Sequence, residues 1–205
     1  MPPAFTDKEK KRLRDRLLKL GRRLFAQYGL KKTSLEDLTQ PLGIAKSTFY
    51  LFFESKEALY FELLLQMRRE VEERIQSASF ASTDDPREGL RRFMRAVVDE
   101  LETNPLTRRL VTQPEELELL ARNAPPELLA MNTQDSTSYI LPAILAGQAQ
   151  GSIITGQPEV IAGVIRSVAL LTLHKDIIGE DIYPRVVSLM IDLIAGGLAP
   201  SVQTA

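Results

Sequence analysis

The chain has 205 residues, of which 44% are hydrophobic; this is enough for packed cores and argues against wholesale disorder. It has no cysteine, which excludes disulfides, thiolate metal sites and a cysteine nucleophile. Residues 1–56 carry 13 Lys and Arg against 6 Asp and Glu, whereas residues 57–205 carry 13 against 21, so the net charge of −1 hides a basic first segment that polyanions attract.

We expect the beginning of the chain to be a charged helix and not a targeting segment. The first twenty residues are rich in Lys and Arg and contain no apolar core of a signal peptide. From Leu13 to Leu24, leucines recur every three or four residues, and Tyr28 continues this stripe to Gly29, where we expect the helix to end.

Two short helices and a longer one are predicted next. The pair Thr33-Ser34 offers a cap for the second helix, Gly43 supplies a tight turn, and Ala45–Phe52 is the predicted third helix. Pro41 falls late in the second helix, where a proline removes a backbone donor and tends to kink the helix. The fourth helix is predicted over residues 56–79.

The rest of the chain also has helical patterning. Pro86 suits the first turn of a helix, a longer helix is predicted over residues 127–148, and two strongly apolar helices over 158–173 and 183–194, with Gly196-Gly197 closing the last one. The stretch 161–178 is interrupted by Arg166, His174, Lys175 and Asp176, which is too charged for a membrane span. We therefore expect an all-α, soluble, cytoplasmic protein without a membrane partner.

Three short helices with a glycine turn between the second and third form a helix-turn-helix. The apolar residues of this segment fix the angle between the helices, which leaves the outer face of the third helix free to enter the major groove of DNA. That face presents Lys46, Ser47, Thr48 and Tyr50, whose groups contact base edges and phosphates in such motifs.

Residues 25–65 resemble the TetR (tetracycline-repressor-like) family in order, spacing and residue type. The matching landmarks include Gly43-Ile44, the run 46–50 and the run 55–59. The resemblance implies an N-terminal three-helix DNA-binding domain (residues 1–56), a linking helix (56–79) and a C-terminal helical domain (57–205) for dimerisation and ligand binding. It also implies a homodimeric repressor that a small molecule releases from a palindromic operator.

The resemblance assigns DNA contacts to hydroxyls, cations and one phenol at the helix starts, where phosphates bind well. These residues are Thr33, Ser34, Lys46, Ser47, Thr48, Tyr50 and Lys56. Lys56 is alternatively a solvated surface lysine. Ala45 stands where a capping Ser is usual and Leu51 where a polar residue is common, so these positions and Pro41 modify the expected contacts.

The last two long helices are more apolar than peripheral helices need to be, and the resemblance makes them a dimer interface, with burial in the domain's own core as the alternative. The interface residues expected are Ile161, Val164, Ile165, Val168, Leu171, Val186, Met190 and Leu193. A twofold dimer would place two recognition helices about 34–36 Å apart, one turn of duplex.

A ligand pocket is expected among the middle helices, for an unidentified small apolar molecule. Its expected lining is Phe93, Met94, Val97, Leu110, Met131, Tyr139 and His174, although a lone His is more often a helix-end or core residue. A DNA-binding regulator or architectural protein without a ligand is the alternative. No triad, metal cluster or phosphate loop stands out, so we expect neither an enzyme nor a cofactor.

Overall fold

The structure, a computed structural model, describes residues 5–78, 83–113, 115–123 and 140–199. These residues form helices and no strands, which confirms the all-α prediction. No helix among them is both long and apolar enough to cross a bilayer. The helices are α1 (Asp7–Lys32), α2 (Leu35–Thr39), α3 (Lys46–Phe49), α4 (Lys56–Ala78), α5 (Pro86–Thr103), α6 (Pro105–Thr112), α7 (Glu115–Asn123), α8 (Leu141–Ala149), α9 (Pro158–Leu171), α10 (Lys175–Ile178) and α11 (Tyr183–Leu198).

The chain divides into two compact units. The first comprises Met1–Arg69 with Pro105–Leu129, and the second comprises Glu70–Asn104 with Ala130–Ala205. The segment from Pro105, which the sequence assigns to the second domain, thus belongs with the N-terminal residues by its contacts. The domain boundary at residue 56 stays a prediction.

The first unit is built around α1 and α4. The buried side of α1 holds Leu13, Leu17 and Leu20 of the predicted stripe together with Phe25, whose ring centroid lies 4.6 Å from that of Tyr60 on α4. Tyr28, predicted to continue the stripe, is instead 47% exposed. Gly21 explains why this helix tolerates a glycine: a Cβ there would lie 3.1 Å from Leu59 Cδ2 of α4. The close approach of the two helices offsets the cost of about 1 kcal/mol that Gly has relative to Ala.

In the second unit, α5 and α9 pack on each other and on α11, and α8 packs on α9. The core combines Leu90 and Met94 of α5 with Ile144, Val168 and Val187. As predicted, Pro86 occupies the first turn of α5, where the carboxylate of Asp85 accepts the Arg87 N–H at 2.9 Å. The guanidinium of Arg87 in turn donates to the backbone oxygen of Ala199, at 3.0 and 3.2 Å, and ties the start of α5 to the end of α11.

Several helix boundaries differ from the sequence prediction. The third helix, predicted over Ala45–Phe52, is observed as Lys46–Phe49. Pro41 does not kink an α-helix, because α2 ends at Thr39 and the proline lies in the first turn of a 3-10 helix, Gln40–Leu42, where its missing N–H is not needed. The long helix predicted over 127–148 is observed only as α8, which starts after Ile140 with Pro142 in its first turn, whereas residues 127–139 lie outside the described part. The pair Gly196-Gly197 does not close α11, which runs on to Leu198.

Candidate DNA-binding surface

The junction between α1 and α2 is shaped by backbone geometry. Gly29 has φ 79° and ψ 174°, a conformation that essentially only Gly adopts, and it breaks α1 one turn before its end. The Thr33 side chain is only 1% exposed, and its hydroxyl donates a 2.7 Å hydrogen bond to the Gly29 carbonyl. The predicted phosphate contact of Thr33 is therefore corrected, because this hydroxyl is buried and already bonded.

Ser34 is the N-cap of α2, as predicted. Its Oγ accepts the Asp37 N–H at 3.2 Å, and its own N–H donates to the Asp37 carboxylate at 2.8 Å. This reciprocal pair satisfies two backbone donors and fixes the start of the helix. The Ser34 backbone N–H holds the pKa of Asp37 below its usual range. Ser34 itself stays exposed, so its position at the surface is compatible with a phosphate contact.

Lys56 has partners within the protein that the sequence does not reveal. Its half-buried ammonium donates to the carbonyls of Leu30 and Thr33, at 2.8 and 2.9 Å. A cation on the last carbonyls of a helix satisfies acceptors that lack helical donors and interacts favourably with the helix dipole. Lys56 is therefore neither the simply solvated lysine nor a lysine with all three donors available for phosphate.

The helix α3 is held from its inner side. Leu38 and Phe49 are fully buried, and Phe53 is 5% exposed with its ring centroid 5.7 Å from that of Phe49. The turn before α3 uses Gly43 at φ 67°, and the Ile44 N–H donates to the Thr39 carbonyl at 3.2 Å. The rotation of α3 about its axis is thus set by packing.

The outer side of α3 carries most of the predicted DNA contacts. Ser47 is exposed, Tyr50 is 54% exposed, and Thr48 is half-buried. Leu51, just after the helix, is 69% exposed. Ala45 caps α3 without a side-chain hydrogen bond, so only its backbone carbonyl serves the first turn. The arrangement brings these groups together on one surface of the N-terminal segment up to residue 56, which we call the head.

Lys46 is exposed, but its side chain also has a partner within the protein. Its ammonium forms an ion pair with the Glu36 carboxylate of α2. The hydrogen bond from Lys46 holds the pKa of Glu36 below its usual range. A phosphate that approaches Lys46 therefore competes with a carboxylate of the same protein.

The positive charge of the head is concentrated on one helix. The helix α1 has 11 Lys and Arg against 3 Asp and Glu, whereas residues 33–56 have 2 against 3. The helix-turn-helix proper is slightly acidic, although its flanking helix is strongly basic. The basic excess that the sequence shows for residues 1–56 thus comes from α1.

A buried polar cluster joins α1, α4, α6 and α7 within the first unit. The guanidinium of Arg109 donates to Glu116 at 2.6 and 2.8 Å, and the Tyr60 hydroxyl donates to the other Glu116 oxygen at 3.1 Å. Burial, followed by the Glu116 charge, raises the pKa of Tyr60 far above its ordinary value of 10. Gly29 lies directly beneath this cluster. Arg109 and Glu116 lie 80 or more positions away from Gly29 along the chain, so no local sequence pattern indicates this cluster.

Comparison with known proteins agrees with this geometry. Residues 17–63 match the family model described as "Bacterial regulatory proteins, tetR family". Over residues 17–63, therefore, the chain belongs to the tetR family. The matched span covers α2, α3 and the residues that pack them against α1 and α4. The chain is therefore a DNA-binding transcriptional regulator with a helix-turn-helix of the tetR type.

Relatives extend the likeness beyond the head. The chain is 26% identical over 149 residues to the HTH-type transcriptional regulator YhgD of Bacillus subtilis, which covers 73% of this chain and 76% of YhgD. It is 36% identical to the HTH-type transcriptional repressor KstR2 of Rhodococcus jostii over 63 residues, which cover 31% of this chain and 31% of KstR2. The structure of the TetR-family regulator PfmR from Thermus thermophilus has the same fold, with a TM-score of 0.64 at 23% identity over 97% of this chain and all of that one.

The second unit corrects part of the predicted dimer interface. Ile161, Ile165 and Val168 are 4% exposed or less and belong to the unit's own core, so they do not reach a partner. The remaining predicted positions are more accessible: Val164 and Leu193 are exposed, and Leu171, Val186 and Met190 are half-buried. Leu189 on α11 is also exposed, at 60%.

The predicted ligand-lining residues fall in both units and partly outside the described residues. Phe93 and Met94 are buried in the core of the second unit, with Val97 partly buried against it, whereas Leu110 belongs to the first unit. His174 is exposed, which corrects its placement in a buried pocket. Met131 and Tyr139 lie outside the described residues.

Proposed function

We propose that this tetR-family regulator is a homodimeric repressor whose α3 enters the major groove of a palindromic operator. The observation that carries the proposal is the surface of α3, which presents Ser47, Tyr50 and Lys46 outward while Phe49 and Phe53 hold it rigidly from within. Side chains on a helix fixed in this way reach base edges with little loss of conformational entropy. Ser34 at the start of α2 adds a phosphate contact.

The dimer part of the proposal rests on two helices that are apolar on both sides. On α9, Val160 and Val164 are exposed beside the face that buries Ile161 and Ile165. On α11, Leu189 is 60% and Leu193 62% exposed, opposite the buried Val187 and Ile191. Exposed apolar stripes on neighbouring helices are typical of an interface, and two such helices from each subunit make a four-helix contact. The partner proposed is a second copy of this chain.

Operator recognition is tested with duplexes selected by the full-length protein from a random-sequence library. The selected sequences are expected to be palindromic, and Tyr50→Ala and Lys46→Ala are expected to weaken binding without changing the circular dichroism spectrum. Ile177→Ala, at a position 77% exposed on α10, is the control that keeps wild-type affinity. Selection of no consensus sequence would favour an architectural DNA-binding protein instead.

Dimerisation is tested by placing charge on the exposed stripe. Leu189→Glu and Leu193→Glu are expected to give monomers in light scattering, because each buries a carboxylate in the contact. Ile177→Glu adds the same charge at an exposed apolar position on α10 and is expected to leave the dimer intact. Dimers that persist in both stripe variants would place the interface elsewhere.

Release by a small apolar molecule completes the proposed mechanism. The similar protein KstR2 is named a repressor, and a ligand that binds one state of a regulator better than the other shifts its DNA affinity by that difference. An organic extract of host cells is expected to dissociate the operator complex, and mass spectrometry of the retained fraction identifies the compound. If no extract fraction dissociates the complex, a regulator without a ligand is the better description. A regulator of this kind acts on the chromosome in the cytoplasm and has no catalytic role.

A further inference from the structure

Leu51 is an apolar side chain on the surface proposed to contact DNA. Its 69% exposure is larger than that of Tyr50 beside it. The backbone stays helical through Tyr50 (φ −68°, ψ −8°), and the Leu51 N–H donates to the Thr48 carbonyl at 3.2 Å. Ser47, Tyr50 and Leu51 are therefore three and four positions apart on one continuous turn and share the outer face.

The chemistry of this face limits which bases it can recognise. Guanine is read mostly by Arg or Lys and adenine by Asn or Gln through paired hydrogen bonds. Residues 43–53 contain no Arg, Asn or Gln, and their one cation, Lys46, is paired with Glu36. What the face offers beside that cation is hydroxyl groups, the phenol of Tyr50 and the isobutyl group of Leu51.

Among base edges in the major groove, thymine alone presents an apolar group, its C5-methyl. A single exposed Leu is ordinary on a protein surface. This Leu, however, is on the outer face of the helix whose opposite face is locked by Phe49 and Phe53, so its side chain points where the helix would meet the bases.

We propose that Leu51 contacts the methyl group of a thymine in each operator half-site and makes the protein selective for thymine at that position. The proposal rests on the operator binding proposed above and specifies one of its contacts. Burial of one methyl group against Leu51 corresponds to about a fourfold gain in affinity.

The test replaces thymine by uracil, which removes only the methyl group, at one position at a time in a duplex selected by the full-length protein. For the wild-type protein, one position is expected to lose about fourfold in affinity. For Leu51→Ala, affinity for the thymine duplex is expected to fall by a similar factor, and replacement by uracil at that position has no further effect. Leu145→Ala, which truncates a leucine 53% exposed on α8, is the matched control and keeps the uracil sensitivity.

Two outcomes overturn the proposal while the proposed function stands. In the first, selected duplexes bind specifically but no position responds to uracil. In the second, the response persists in Leu51→Ala, which assigns the methyl contact to another side chain such as Tyr50. Failure to select any specific duplex would instead refute the proposed function, so the two failures are distinguishable.

Discussion

A methyl group added at Gly29 would strike the buried polar cluster of the first unit. The Cβ of Gly29→Ala would lie 2.1 Å from Glu116 Oε1 and 2.2 Å from an Arg109 nitrogen, far inside van der Waals contact. The side chains of Arg109 and Glu116 are 17% and 7% exposed, so the pair has little water to replace a lost partner. The substitution must displace one of these two groups.

The expected loss of stability has two sources. Holding a non-Gly residue at φ 79° and ψ 174° costs about 1–3 kcal/mol. Separating a buried ion pair costs about 3–5 kcal/mol when one charge is left without its partner. Relaxation makes the two contributions less than additive, so we expect Gly29→Ala to lower the free energy of unfolding by roughly 4–6 kcal/mol.

Gly43→Ala is the matched control. Gly43 also has a positive φ, 67°, but a Cβ there would meet nothing within 4 Å. It should cost only the left-handed conformation, about 1–2 kcal/mol. Urea unfolding of the full-length variants, followed by circular dichroism, measures both changes, and Gly29→Ala in a Glu116→Ala background should cost less than in the wild type. Equal losses for the two glycines would refute the assignment of a steric clash to Gly29.

Three further predictions concern other contacts of the first unit. Ser34→Ala should lower the free energy of unfolding by about 1 kcal/mol, measured in urea, whereas Ser34→Asp, which keeps a capping acceptor, should retain most of it. Lys56→Met should destabilise the protein by roughly 1–3 kcal/mol even without DNA, because two carbonyls lose a charged donor; weaker DNA binding at unchanged stability would contradict this structural role. Above about pH 10 the unfolded chain releases the Tyr60 proton whereas the folded protein keeps it, so the free energy of unfolding should fall as pH rises. This decline should be smaller in Tyr60→Phe. Identical pH profiles of the two proteins would be evidence against this role of Tyr60.

Local signals predicted the elements of the head well. The Ser34 cap, the Gly43 turn and the inward-facing Phe49 each depend on a few neighbouring residues, so spacing and residue type were sufficient to find them. The exposure of Tyr50 follows from the same periodicity.

Contacts between distant segments were not predictable in this way. Lys56 has the residue type and position of a phosphate contact, but its ammonium is directed to carbonyls 23 and 26 positions earlier. Gly29 reads as an ordinary helix end until α6 and α7 are placed against it. Similarly, α9 is apolar nearly all round, so only packing decides that Val168 is buried and Val164 exposed.

The ion pair between Lys46 and Glu36 has a consequence for the salt dependence of DNA binding. A lysine that binds a phosphate normally contributes by freeing condensed cations from the duplex, which makes affinity fall as salt rises. At Lys46, a carboxylate of the protein must be displaced at the same time and left to recruit a cation from solution, which cancels much of that release. The proposed recognition surface therefore carries its own counterion, and the proposed contacts of α3 with DNA should vary less with ionic strength than binding that depends on cations elsewhere on the head.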